Sequence, residues 1–551
     1  MPKAMQQVAC LLLNSSAMLM TGILSAQEPA FVGSRTCAGC HRAIYASYMR
    51  TAMGRSMRGA SDLELPTPVD IEHAPLHRRF RVFRRDNKLY QSEYALDAAG
   101  NRVFDDIHEI EFALGSGVNG YSFVVRRGSY LFEAPLSYYA KSAQWDLSPG
   151  YESVDIGFSR PVAATCVGCH SGRARLIAGH DGLYDNVPFD EPAIGCENCH
   201  GPGALHVKQV NAGAIVNPAR LPSRLAEEIC IICHQIGDVR VLKPGKRLWD
   251  FRPGMWSSEV LAIFRLASNQ AEPSDLLEHP TAMRSSRCFR ASGGKLSCHT
   301  CHDPHATPAP METAAYYRTK CFTCHTDTSC RLPLGERQRR AANDCTTCHM
   351  PKRDVAVVSH AALTNHRIPA RPGQAQQQNS SGENSGGDLI LINPSPDPIP
   401  LPAITTFLAY GQVIVKRADL APRYWALLDQ LSHTRPDDAE VLVALGRKAM
   451  FDPGPENAAH AQKYFEKAIE KGSTSSFTFE SLAEVLVRSG RGERAIAVLQ
   501  QGLALAPYSA VLYESLARTY HALGRTDDVR KTVGRYLELF PEDDAARRLL
   551  H

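Results

Sequence analysis

Residues 195–206 read GCENCHGPGALH, and the Cys196, Cys199 and His200 inside that stretch decide how most of the chain folds. The pattern Cys-x-x-Cys-His occurs seven times: Cys37, Cys40 and His41; Cys166, Cys169 and His170; Cys196, Cys199 and His200; Cys230, Cys233 and His234; Cys298, Cys301 and His302; Cys321, Cys324 and His325; Cys345, Cys348 and His349. With 17 Cys and 21 His in 551 residues, chance would supply about 0.02 copies, so the motif is a strong signal. Two thiols three positions apart can add to the two vinyl groups of one porphyrin, and the next residue, a histidine, then reaches the iron. This is the c-type haem reading of the motif. Zinc sites also use Cys-x-x-Cys pairs, but they do not require a histidine directly after each pair.

The remaining cysteines fit the same account. Fourteen of 17 lie in the motifs, Cys10 lies in the N-terminal apolar run, and Cys288 and Cys330 are left, either as a disulfide or as two separate thiols. Lys3, the apolar stretch Val8–Leu24 and the small residues Ser25 and Ala26 predict an export signal over residues 1–26, cleaved before Gln27. Export agrees with haem attachment, which takes place outside the cytoplasm. A periplasmic or cell-surface protein of a bacterium is expected, with no membrane span in the mature chain. The formal charge of +4 is near neutral and gives no reason to expect nucleic acid as a partner.

Each iron needs a sixth ligand unless its site is open for chemistry. The candidate partners for the seven motif histidines are His73, His206, His279, His305, His360 and His366. His108, Met53 and Met57 compete for the last iron. In IHEIEFALG, His108, Ile110, Phe112 and Leu114 alternate onto one face of a strand, so His108 reads equally as a core residue. His77, His180 and His299 read as ordinary surface or core histidines.

All seven motifs lie in residues 27–369, where porphyrin replaces much of the usual core. Between His41 and Cys166, the stretches RRFRVFRR, KLYQSEYAL, IHEIEFAL and GYSFVVRR predict a small antiparallel sheet over about 75–135, with turns at Asn87, Gly100 and Gly115. Residues 370–402 are rich in Gln, Ser, Gly, Asn and Pro and read as a disordered linker. In residues 403–551 the pairs Leu482 and Leu516, Ala483 and Ala517, Gly490 and Gly524, and Pro507 and Pro541 share a 34-residue period, which is that of the tetratricopeptide repeat. The expected class is therefore mainly α: a haem-cored domain with a small β insert, then an α-solenoid.

The strings GCENCHGPGALH, CHTCHDPH, CHMPK and NHRIP resemble the multihaem cytochromes c that include the tetrahaem cytochrome of ammonia oxidisers. Pentahaem nitrite reductase and octahaem hydroxylamine oxidoreductase are more distant. GSGVNGYSF, PLSYY and WDLSPGYE are similar to segments of bacterial multihaem cytochromes that end in tetratricopeptide repeats. The likeness covers about residues 31–369 and the C-terminal repeats. It implies that His206 and His305, with His279 and His366, are distal ligands. Two departures matter. The nitrite reductase carries a lysine at its catalytic haem, whereas all seven motifs here end in His. Some relatives have a histidine where this chain has Asn119.

The expected function is electron transfer through seven mostly bis-histidine haems, with the repeats docking a redox partner protein. The rival expectation is a reductase or dehydrogenase of a small nitrogen or sulfur compound at one open haem.

Overall fold

The computed structural model describes residues 30–549, apart from 211, 268–277, 354–362, 372–386, 397–399 and 453. The expected signal peptide and His360 lie outside the described residues, as does much of the expected linker.

The alternating segments form strands, but the sheet is far larger than the expected insert. Its strands are β1 (Met57–Gly59), β2 (Val69–His73), β3 (Arg78–Arg85), β4 (Lys88–Leu96), β5 (Arg102–Leu114), β6 (Gly120–Arg127), β7 (Tyr130–Glu133), β8 (Leu136–Tyr139), β9 (Gln144–Leu147) and β10 (Arg160–Pro161). The order is β10-β7-β6-β5-β4-β3-β2, with β1 beside β5 and the β8–β9 hairpin beside β6. The added strands β1, β8, β9 and β10 are two to four residues long. They are too short to show a period of two and exist because a long neighbour offers its edge. "Mainly α" is thus corrected: the N-terminal region is built on a ten-stranded antiparallel sheet.

Local chemistry sets its turns. Asp86 and Asn87 both have positive φ, 50° and 63°, and join Arg85 to Lys88, the two-residue turn that matches strand twist. Gly115 has φ 115°, and a Cβ there would sit 2.6 Å from the Gly120 carbonyl oxygen. In β5 the register shifts between Ile110 and Phe112. This bulge ends the expected single apolar face. Ile110 and Ala113 join one core with Phe80, Val82, Phe123 and Phe132. Phe112 and Leu114 pack on the other side with Met57, Val124 and Val167. Val167 is the residue between Cys166 and Gly168, so the sheet itself holds the second motif in place.

A second, three-stranded sheet pairs β13 (Val239–Leu242), β14 (Leu261–Leu266) and β17 (Leu389–Leu391). Between them and the first sheet fall β11 (Arg173–Leu176) and β12 (Tyr184–Glu191), a separate pair, and β15 (Lys352–Arg353) with β16 (Leu363–Thr364) forms another. β17 belongs to the stretch expected to be a disordered linker. Asn393 strengthens the attachment: it accepts from the Ile263 backbone N–H (2.9 Å) and donates to the Leu261 carbonyl (2.8 Å). The next helix, Ala403–Val413, buries Ile404 and Phe407 against Val239, Val241 and Phe264. The repeats are therefore joined to the haem-motif region through packed chain.

Helices from Ala421 to Arg548 stack as antiparallel pairs. Gly490 and Gly524 repeat at the same place, with φ 73° and 72°, in the left-handed region that ends a helix. The same period governs how the stack sits on the large sheet. Of Thr474, Tyr508 and Glu542, spaced like the repeats, the last two reach the large sheet and the first reaches the β11–β12 loop beside it. Thr474 donates to the Gly179 carbonyl. Tyr508 packs edge-on against Tyr130 and Phe132, with ring centroids 5.2 Å apart in both cases. The Glu542 carbonyl accepts from Arg78 at 2.6 Å. Arg78 also bonds Asp155 at 2.7 Å and Asp544 at 3.1 Å. The solenoid thus docks through its inter-repeat loops.

Candidate haem-binding site

Each motif is a single helical turn or the end of a helix. In the first, fifth and sixth motifs the histidine N–H donates to the carbonyl of the leading cysteine, at 2.9–3.0 Å. This turn puts the two thiols, three residues apart, on one side and carries the histidine next to them.

The motif histidines then meet histidines from elsewhere in the chain. His41 faces His206, with ring centroids 6.3 Å apart and planes 20° apart. His200 faces His305 at 5.9 Å and 15°. His234 faces His279 at 5.8 Å, and His302 faces His366 at 6.2 Å. A metal–imidazole bond is about 2 Å long, so two rings ligating one iron from opposite sides have centroids about 6 Å apart. His279 and His366 also touch each other, Nδ1 to Nδ1, at 2.7 Å.

Backbone carbonyls orient several rings. His200 Nδ1 lies 2.9 Å from the Val216 oxygen, His349 Nδ1 2.8 Å from that of Pro369, and His366 Nδ1 2.8 Å from that of Thr364. Each contact leaves Nε2 for a metal. Burial holds His170, His200, His234, His302 and His366 below the ordinary imidazole range. Burial, together with His366, pushes His279 down to about 2. These rings are therefore neutral, the form that ligates.

Two further observations test whether haem fits. Among the described residues of 281–353, Met283 is the one buried apolar side chain. A stretch of this length cannot hold three motif helices in place on so little apolar burial, and porphyrins bound at the motifs would supply the missing core. Second, His234 lies deep among protein atoms, yet its surface is open, as it is for a residue lining an internal space. Thiols of different motifs meet around such spaces: Cys37 with Cys196, Cys169 with Cys233, Cys230 with Cys298, and Cys321 with Cys345. Among the described residues no three Cys, His, Asp or Glu side chains converge as a metal-ion cage.

Some expected ligands are placed otherwise. His73 ends β2, opposite Arg78, on the outer strand of the sheet. His108 bonds Asp106 at 2.9 Å and packs on Phe158. Met57 is buried in the core beneath the second motif. Cys288 and Cys330 are separate thiols. Among the described residues, no imidazole ring faces His170, His325 or His349.

The side chain that brings His41 and His206 together is Glu197, the residue after Cys196. Its carboxylate accepts from the backbone N–H groups of Val32 (3.0 Å), Gly33 (2.7 Å) and Gly203 (2.7 Å). Gly33 precedes the helix carrying Cys37, and Gly203 precedes the helix carrying His206. Glu191 assists by accepting from the Ser34 N–H at 2.8 Å. The acid inside the third motif was the available sequence signal for this role.

Two segments match known families. Residues 291–329 match the doubled CXXCH motif, and residues 486–550 match the tetratricopeptide repeat. The chain therefore carries a c-type haem-binding region and a tetratricopeptide domain. Among curated proteins it is similar to the multiheme cytochrome MtrA of Shewanella baltica (strain OS185), with 23% identity over 210 residues, 34% of this chain and 62% of that protein. It is also similar to the human IFIT1 homolog B, at 30% identity over 96 residues, 17% of this chain and 20% of that one. It thus spans less than two thirds of either relative. Among solved structures it resembles the MamA protein and YrrB, a TPR protein, each at 19% identity, TM-score 0.23 and 27% of this chain, covering 79% and 74% of those chains. No helix among the described residues is long and apolar enough to cross a membrane.

Proposed function

We propose that the protein is an exported multihaem c-type cytochrome that carries electrons through seven haems. The observation behind this reading is the four facing histidine pairs at 5.8–6.3 Å. In each, one ring follows a Cys-x-x-Cys and the other comes from a different part of the chain. The residues that would hold the haems are the fourteen motif cysteines and the seven motif histidines. His206, His305, His279 and His366 would be the distal ligands of the first, third, fourth and fifth haems. Haem supplies one-electron chemistry between ferric and ferrous iron. The chain orients the imidazoles and keeps them neutral. Its thiol contacts bring neighbouring motifs close enough for electrons to pass. The likeness to a multiheme cytochrome supports the same reading.

The repeats, seated on the sheet by one edge, are proposed to offer their remaining surface to a redox partner. A free tether does not suit packed chain at β17 and Ala403–Val413. The test is spectroscopic. The exported protein should show low-spin ferric EPR signals from at least four bis-histidine haems; a uniformly high-spin spectrum would refute the reading.

A second reading, reduction or oxidation of a small nitrogen or sulfur compound, rests on His170. Among the described residues no imidazole faces it, and its buried Nδ1 has no partner there. A high-spin signal that shifts with nitrite or hydroxylamine would favour it. Spectra unmoved by either would remove it.

A further inference from the structure

We propose that the surface around the sixth motif is the port through which an acidic electron-transfer protein exchanges electrons with the chain. The proposal rests on the haem reading above. Charge is its first support. Residues 281–353 hold twelve Lys and Arg against five Asp and Glu, a surplus of +7 that exceeds the +4 of the entire chain. Three motifs lie in this segment. Each haem brings two propionates and, when ferric, one positive charge at the iron–porphyrin core, so three haems leave the segment positive. Seven haems make the whole molecule negative. The port would therefore be a cationic face on an anionic protein.

Exposure is the second support. Phe322, inside the sixth motif, is an exposed large apolar side chain. The cations gather around this motif. The helix Arg287–Ala291 lies within electrostatic reach of it, through Cys288 and Cys324, and its Arg287 is exposed. The helix Leu334–Ala341 is fastened next to it, because Arg337 bonds Asp327 at 2.9 Å, two residues beyond His325. Arg331 and Arg339 are exposed in the same segment. A second chain can thus approach the sixth haem over a segment rich in exposed cations, and electrostatic steering raises association with an acidic surface by about 10- to 1,000-fold.

The sign of the salt effect separates this port from the charge of the molecule as a whole. The fully oxidised holoprotein would be mixed with reduced plant-type ferredoxin, an acidic donor that gives one electron to one ferric haem and is itself oxidised by one. The rate should fall as sodium chloride is raised. The exposed double variant Arg331→Glu with Arg339→Glu should react at least tenfold more slowly at low salt and lose most of the salt dependence. Arg85→Glu with Lys88→Glu, exposed on the large sheet and away from both the sixth motif and the repeats, should behave as wild type. A wild-type rate that is flat or rises with salt, or a double variant as fast as wild type, would overturn the port. Haem content measured on the same samples keeps a failure of the haem reading distinct.

Discussion

His206 stands opposite His41, with ring centroids 6.3 Å apart and planes 20° apart, although His206 follows the third motif and His41 ends the first. The same crossing recurs between His200 and His305, and between His302 and His366. On the proposed reading the haem-motif region is laced: each such iron would tie two distant segments, so that cofactor insertion and folding would be one event.

His206→Ala should leave covalent haem content unchanged, because its thioether cysteines and proximal histidine remain. It should convert one haem to high spin. EPR spin counting against wild type reads this. A loss of the low-spin signal from several haems would show that His206 supports more than its own iron.

Glu197→Gln keeps the shape of the side chain but removes the charge that three backbone N–H groups share. Charge-assisted hydrogen bonds of this kind contribute about 1.5–3 kcal/mol each. A net loss of about 2 kcal/mol is expected, read as a lower thermal midpoint of the holoprotein. The first haem, bracketed by His41 and His206, should be the one whose spectrum changes.

The seam between sheet and repeats should respond to pH through Glu542. Burial, then the charges of Asp155 and Asp106, push its carboxyl up to about 8. A carboxyl raised on docking favours the docked state while it stays protonated. Its contribution is complete below the ordinary carboxylate range and is lost as pH rises through about 8. Protection of residues 539–548, taken as exchange relative to the intrinsic amide rate at each pH, should therefore be greater at pH 5 than at pH 8.5, and Glu542→Gln should flatten that difference. Equal protection at both values in the wild type would contradict the account.

Truncation separates the strand from the linker. A chain ending at residue 370 loses β17 and the Asn393 bonds to β14. One ending at 396 keeps them. The longer chain should melt higher, although both lack the repeats. Equal midpoints would mean that β17 contributes nothing.

The motifs were legible because covalent attachment demands fixed spacing within five residues, and the repeats because their 34-residue period is local. The pairing of histidines was not, since Glu197, Gly33 and Gly203 meet only after folding. The sequence reads His73 as a candidate ligand and His108 as either ligand or core residue, and β2 and β5 carry both into the sheet. The size of that sheet was hidden because β1, β8, β9 and β10 have almost no pattern of their own. β17 was hidden in a Pro- and Gly-rich stretch, where Leu389 and Leu391 are few against their polar surroundings.

The central claim is seven haems on one chain, and the intact mass of the exported protein under denaturing conditions tests it most directly. The account predicts the mature polypeptide plus seven haems, stable to acid and organic solvent because each is held by two thioether bonds. A mass equal to the polypeptide alone, or to the polypeptide with fewer than seven haems, would contradict it.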